Sequence, residues 1–212
     1  MISKNPGSEF SDGITLKREQ RISEVAAQRQ LDCVVVLENV HDPHNIGAVL
    51  RTCDSVGIVN VFIVYTEPQL DEERLQRGLN SKACSGAKKW VKTTLFLSVK
   101  DCVAELRKRN LLILGTHLGN EAMPIHESDF TIPTAIVLGN EHDGISKEFL
   151  SHLDGNIFIP QVGMVQSLNI SVACAVILYE LFRQRQLKEM YNPEESNESL
   201  VDYYKSVNKA RD

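Results

Sequence analysis

The chain has 212 residues, 42% hydrophobic and 24% charged, with a formal net charge of −5. That is enough apolar material for one substantial core, and the acidic balance excludes a protein that coats nucleic acid by bulk charge. No apolar run reaches the roughly 18–20 residues of a membrane helix, no signal-peptide pattern opens the chain, and the 5 cysteines lack metal or disulfide-framework spacing, which predicts a reduced, cytoplasmic protein.

In chain order, Met1–Gly13 is polar, includes a scar-like Gly7-Ser8-Glu9-Phe10, and reads as disordered or tag-like. Residues 14–30 read as an N-terminal helical arm, with Leu16, Ile22, Val25 and Ala26 toward a core and Lys17, Arg18, Arg21 and Arg29 elsewhere. From residue 31 to residue 190, short β-branched runs alternate with helical patterns. Strands are predicted at Cys33–Leu37, Val61–Tyr65, Trp90–Thr94, Leu112–Thr116, Thr134–Leu138 and Asn156–Ile159. Helices are predicted at Asn45–Val56, Leu70–Leu79, Val99–Arg109 and Ser167–Met190, with a short helical turn after Ser146. Nearly continuous apolar strands separated by helices predict an α/β fold, a mostly parallel sheet with helices on both faces. Ligands of such sheets sit at the carboxyl ends of the strands. There the loops Glu38–Asn45, Thr116–Asn120, Gly139–Ser146 and Pro160–Ser167 fall. The tail 191–212 is polar and acid-leaning and reads as mobile or partly helical. From Arg74 to Lys100 there are 7 bases and no acid, Lys88, Lys89 and Lys92 among them, which predicts a phosphate-contacting surface over a merely solvated one.

Three segments bear chemistry. Asn45-Ile-Gly-Ala-Val-Leu-Arg51 follows Pro43 at a helix start, and Arg51 shares a face with Gly47 and Ala48. A long side chain there leans back toward the helix N-terminus, making an oxyanion or phosphate site; a surface arginine beside small packing residues fits equally well. Gly139-Asn-Glu-His-Asp-Gly144 leaves an apolar strand and holds Glu141 between two glycines, either toward a ligand or as a solvated turn. Pro160-Gln-Val-Gly-Met-Val-Gln-Ser-Leu-Asn169 precedes the apolar run Ile170–Leu181, with Ser167 as the expected N-cap and Asn169 in the first turn. The junction reads as a small-molecule site or as an ordinary capped loop. The 6 histidines have no metal-ligand spacing, so no metal is expected; His41, His44 and His142 lie in these loops.

In this order the three segments resemble the motifs of the SpoU/TrmH family, SPOUT-class RNA 2′-O-ribose methyltransferases, over about Val34 to Arg185. The resemblance implies a C-terminal deep trefoil knot, a homodimer using the helix around Asn169–Glu180, and S-adenosyl-L-methionine as cofactor. It places the cofactor at Thr116, Leu138, Gly139, Ile159, Met164 and Leu168. It makes Arg51 the central catalytic residue, with Asn45, Glu141, Ser167 and Asn169 shaping the pocket. Gly163-Met-Val-Gln-Ser167 and Thr116-His-Leu118 look most like the branch that methylates guanosine 18 of the tRNA D-loop. An arm bearing Arg18, Arg21 and Arg29 fits RNA clamping, with Lys88, Lys89 and Lys92 as further RNA contacts. A ribosomal-RNA methyltransferase of the same family and a non-catalytic RNA-binding module are the alternatives.

Overall fold

The computed structural model describes residues 10–11, 14–67, 86–119, 121–165, 167–192 and 197–209. In chain order the elements are β1 (Phe10–Ser11), β2 (Ile14–Thr15), α1 (Leu16–Ala27), β3 (Gln30–Glu38), α2 (Pro43–Ser55), β4 (Ile58–Val64), β5 (Lys92–Phe96), α3 (Val99–Lys108), β6 (Leu112–Thr116), β7 (Met123–Pro124), β8 (Thr134–Leu138), α4 (Lys147–Leu150), β9 (Gly155–Phe158), α5 (Ile170–Leu187) and α6 (Glu198–Lys209). The expected helix Leu70–Leu79, and with it Arg74, Arg77, Lys82 and Cys84, lies outside the described residues. Contacts divide the chain into two compact units, Gln30–Glu189 and the pair Met1–Arg29 with Met190–Asp212.

Among the described residues of the larger unit, seven strands pair in the order β5-β4-β3-β8-β6-β9-β7, each pairing parallel. Period-two alternation sorts the strand residues onto two faces. Cys33, Val35, Leu37, Val61, Ile63, Ile136 and Leu138 pack with Ile46, Val49, Leu50 and Cys53 of α2 and Ile170, Cys174, Ile177, Leu178 and Leu181 of α5. Val34, Val36, Phe62, Val64, Ala135 and Val137 pack on the other face with Val99, Cys102, Val103 and Leu106 of α3 and with Phe149. The α/β reading with helices on both faces therefore holds. Burial holds the Cys33 and Cys102 thiols at about 12, so they are packing groups rather than nucleophiles.

Helix starts differ from the sequence expectation for a chemical reason. Asp42 caps α2, accepting from His44 N–H at 2.9 Å, so the helix opens at Pro43 rather than at Asn45. At α5 the cap is Asn169, not Ser167, and the helix opens at Ile170. The strand expected at Trp90–Thr94 runs Lys92–Phe96 instead, because Ala87–Val91 closes as a turn with Trp90 and Val91 donating to the Ala87 carbonyl.

Near its C-terminal end α5 is anchored by Arg185, which is fully buried. Its guanidinium donates to Asp32 (2.6 and 3.1 Å), Gln30 (2.9 Å) and the carbonyls of Phe130 (2.8 Å) and Ile132 (3.1 Å). A buried guanidinium is tolerable only when its donors are met in this way.

In the smaller unit, β1 and β2 pair antiparallel, so Phe10–Ser11 of the expected disordered leader is ordered structure. Ile22 and Ala26 of α1 are buried as expected, but Leu16 at the first helical position is exposed. The tail holds a regular helix, α6, with Leu200 and Tyr204 buried. Lys205 of α6 pairs with Glu19 of α1.

Candidate active site

Two of the three loops are braced against each other at the carboxyl end of the sheet. β3 and β8 run in register with Leu37 beside Leu138, so Glu38 and Gly139 leave the sheet as neighbours. Glu38 is 1% exposed, and its carboxylate accepts from Ser146 N–H at 2.8 Å and Ser146 Oγ–H at 2.5 Å. Burial pushes this carboxyl above the usual range, against the pull of the Ser146 bonds. Ser146 also caps α4, its Oγ accepting from Phe149 N–H at 3.1 Å.

Between Gly139 and Ser146 the chain doubles back on itself. A Cβ on Gly139 would stand 2.0 Å from the Gly144 carbonyl carbon, and Gly144 takes φ +69°. Neither position admits another residue without strain. Asn140 Oδ1 accepts from the N–H groups of His142 (2.9 Å) and Asp143 (2.6 Å), and its carbonyl accepts from Gly144 N–H (3.1 Å). This turn presents Glu141 to α2.

There the three motifs meet. Asn45 Nδ2 donates to Glu141 Oε1 at 2.5 Å, and Asn169 Nδ2 donates to Asn45 Oδ1 at 3.2 Å. Asn169 Oδ1 in turn accepts from Ser171 N–H at 2.9 Å and Ser171 Oγ–H at 2.6 Å. The direction of the whole relay follows from its first member. A backbone N–H can only donate, so Asn169 must turn its oxygen to α5 and its NH₂ to Asn45. Asn45 is then left with its own NH₂ for Glu141, which accepts as a carboxylate.

Beside this junction, the carboxyl ends of β6, β8 and β9 and the start of α5 enclose a cleft of about 510 Å³. Thr116, Leu138, Gly139, Ile159 and Leu168 line it, as do Glu141, Ser167 and Asn169. Thr116 Oγ1 is held by the Val137 carbonyl at 3.1 Å. Sequence reasoning missed Asn140, Ile157 and Phe158, and Ile170, Ala173 and Ile177 on α5. The α5 set was findable, since its three-and-four spacing follows the expected N-cap. Asn140 was findable as a turn residue able to accept from the N–H two positions on.

Other expected site residues lie elsewhere. Met164 is not among the cleft-lining residues and is 99% exposed. Asn45 is not among the cleft-lining residues and meets the site through Glu141 and Asn169. Arg51 is exposed, lies outside the cleft lining, and has no hydrogen bond or ion pair among the described residues. It sits one turn before Ser55, whose Oγ is 3.4 Å from Tyr179 Oη on α5. Of the expected RNA contacts, Lys92 is exposed on the edge strand β5, and Lys88 and Lys89 are half-buried before it. Arg18 donates to Asn208 and Arg21 to Glu24, both at exposed positions. Arg29 is not a surface cation: it is 8% exposed, with its guanidinium 5.5 Å over the Tyr204 ring. Among the described residues no group of His, Cys, Asp and Glu could hold a metal ion, and no helix is long and apolar enough to cross a membrane.

Residues 32–179 match the SpoU rRNA Methylase family, a span that takes in all three loops. The chain is 44% identical over 179 residues to the tRNA (guanosine(18)-2′-O)-methyltransferase of Escherichia coli K12, covering 84% of this chain and 75% of that protein. The crystal structure of the A. aeolicus TrmH/SpoU tRNA modifying enzyme superposes with a TM-score of 0.76 at 36% identity, covering 90% of this chain and 94% of that one. An AdoMet-bound rRNA methyltransferase from Sinorhizobium meliloti superposes with a TM-score of 0.60 at 25% identity, over 76% of this chain and 59% of that one. With the family model matched over residues 32–179 and relatives of this similarity, the chain belongs to the SpoU methylase family.

Proposed function

We propose that this protein is an S-adenosyl-L-methionine-dependent tRNA (guanosine-2′-O-)-methyltransferase that acts on guanosine 18 of the D-loop. The observation that carries the reading is the Asn169–Asn45–Glu141 relay beside the cleft, in a chain 44% identical to an enzyme named for that reaction.

The residues present fit the cofactor. Leu138, Ile159 and Leu168 offer an apolar bed for an adenine, strand-end backbone and Thr116 offer polar partners, and about 510 Å³ lies within the usual range for small-molecule sites. When bound, the sulfonium supplies an electrophilic methyl group. The chain must then align a ribose 2′-hydroxyl with it and meet the negative charge that develops on that oxygen. Ser167 and Asn169, at the start of α5, and Glu141 would position the ribose. Arg51 is assigned to orientation and electrostatic stabilisation, since a guanidinium stays protonated and is a poor base. The proton leaves to a substrate phosphate or to water.

Arg51 lies outside the cleft of its own chain, which supports a site completed by a second copy. Val172, Val176 and Tyr179 are exposed on one face of α5, an apolar stripe suited to a homodimer contact. Sedimentation should give a dimer at micromolar concentration, and a monomer would remove this part of the proposal. The trefoil knot belongs to the same proposal, supported by a cleft built from β6, β8, β9 and the entry to α5. Lys88, Lys89 and Lys92, with Arg18 and Arg21, are the proposed RNA contacts; Arg29 is assigned instead to packing against Tyr204.

Incorporation of labelled methyl groups into bulk tRNA and bulk ribosomal RNA tests the reading. Label in tRNA alone is expected. Label confined to ribosomal RNA would move the substrate within the family, and none in either would leave an RNA-binding module.

A further inference from the structure

The cross-brace at the base of the two loops has no part in the reaction so far described. Glu38 ends a strand of almost continuous apolar residues, and an acid there is costly unless it is held for a reason. Both its oxygens are used, and both by Ser146, 108 residues away. Ser146 closes the turn that begins at Gly139, so the ends of this turn are pinned beside β3 while its tip carries Glu141. Within the turn Gly139 is packed on Gly144, and Asn140 bonds His142, Asp143 and Gly144. A shift of Ser146 must therefore pass along the turn to its tip.

We infer that Glu38 is a positioning residue for methyl transfer: through Ser146 it sets the turn that brings Glu141 to Asn45. The two loops then touch at both ends, Glu38 to Ser146 at the base and Asn45 to Glu141 at the tip. The assignment rests on the reading of Glu141 as a site residue. It also explains why a carboxylate is kept in a place where burial works against its charge.

A series at both partners tests it, using methyl transfer to tRNA, S-adenosylhomocysteine binding by calorimetry, and thermal melting. Glu38→Ala should lower kcat at least tenfold while cofactor-product affinity stays within about threefold. Glu38→Gln keeps one oxygen for the Ser146 N–H, and its NH₂ can be accepted by Ser146 Oγ, so it should recover most of the rate. Coupling to Glu141 is the decisive readout. The double variant Glu38→Ala/Glu141→Ala should be no more than about threefold slower than Glu141→Ala alone. Should Glu38→Ala fail to fold, Ser146 decides: Ser146→Thr keeps donor and cap and should be active, whereas Ser146→Asp keeps the cap of α4 but sets a carboxylate against Glu38 and should be slow. Losses that multiply in the double variant, or Ser146→Asp as active as Ser146→Thr, would overturn the inference and leave the role of Glu141 standing. A fully active Glu141→Ala would overturn both together.

Discussion

Replacing Asn169 by Asp separates the two tasks of that side chain. The oxygen that caps α5 by accepting from Ser171 N–H remains, and Asn and Asp cap about equally well. The NH₂ that donates to Asn45 Oδ1 becomes an oxygen. Asn45 must then either face an acceptor with an acceptor, or rotate and turn its own oxygen on Glu141. One bond is lost and one repulsive contact made. The exposed side chains can turn to water and spare the fold most of this cost, but holding the relay aligned for transfer costs about 1–2 kcal/mol, a factor of roughly 5–30. The expected outcome is a fall in kcat of that size with a melting temperature within about 2 °C of the parent. Asn169→Ala, in contrast, also loses the cap, about 1 kcal/mol, and should melt roughly 2–4 °C lower. Steady-state methylation of tRNA and differential scanning calorimetry on both variants make the comparison. Parent-like turnover for Asn169→Asp, or a melting loss equal to that of Asn169→Ala, would refute the donor direction assigned to the relay.

Arg185→Met should destabilise the larger unit by about 3–5 kcal/mol, because Asp32, Gln30 and two carbonyls lose their shared partner; urea unfolding would contradict this with a loss under about 1 kcal/mol. Asp154 is held below the usual carboxylate range, first by its hydrogen bond from Arg107 and then by Ile113 N–H, against a partial burial that opposes it. Its contribution is therefore complete above its unfolded pKa of about 3.9 and is lost as the pH falls through the lower folded value. Asp154→Asn should be less stable than the parent at neutral pH, with the gap closing below about pH 4; a gap that widens on acidification would contradict the sign. Replacing Lys88, Lys89 and Lys92 with Gln should weaken RNA binding and flatten the log K against log salt slope by roughly two to three units, whereas an unchanged slope would return these lysines to a solvated face.

What the chain disclosed in advance was governed by local chemistry. Five of the six expected strands overlap the observed ones closely because their residues alternate between two buried faces. Trp90–Thr94 misplaced its start because the turn opening at Gly86 runs on through Trp90, whose apolar pair with Val91 reads as strand. Ser167 looked the better cap because serine often caps, yet Asn169 holds the position through its paired bonds to Ser171, which depend on where α5 meets Asn45. Glu38 was invisible as a site residue: its meaning comes from Ser146, and only the sheet brings them together. Arg29 misled because burial against Tyr204 depends on a C-terminal helix in a tail whose composition read as mobile or partly helical. Strand ends of a parallel sheet pointed to the loops, and the family resemblance named Thr116, Leu138, Gly139, Ile159 and Leu168 at or beside them, all of which line the cleft.

The most direct measurement maps the methylated position in tRNA treated with the enzyme and S-adenosyl-L-methionine. Ribose methylation removes the 2′-hydroxyl that alkaline cleavage needs, so one linkage, after guanosine 18 of the D-loop, should be protected. Nucleoside mass spectrometry should place the added methyl on the ribose of that guanosine. Protection at another nucleotide, or a methyl group on a base, would contradict the proposed function.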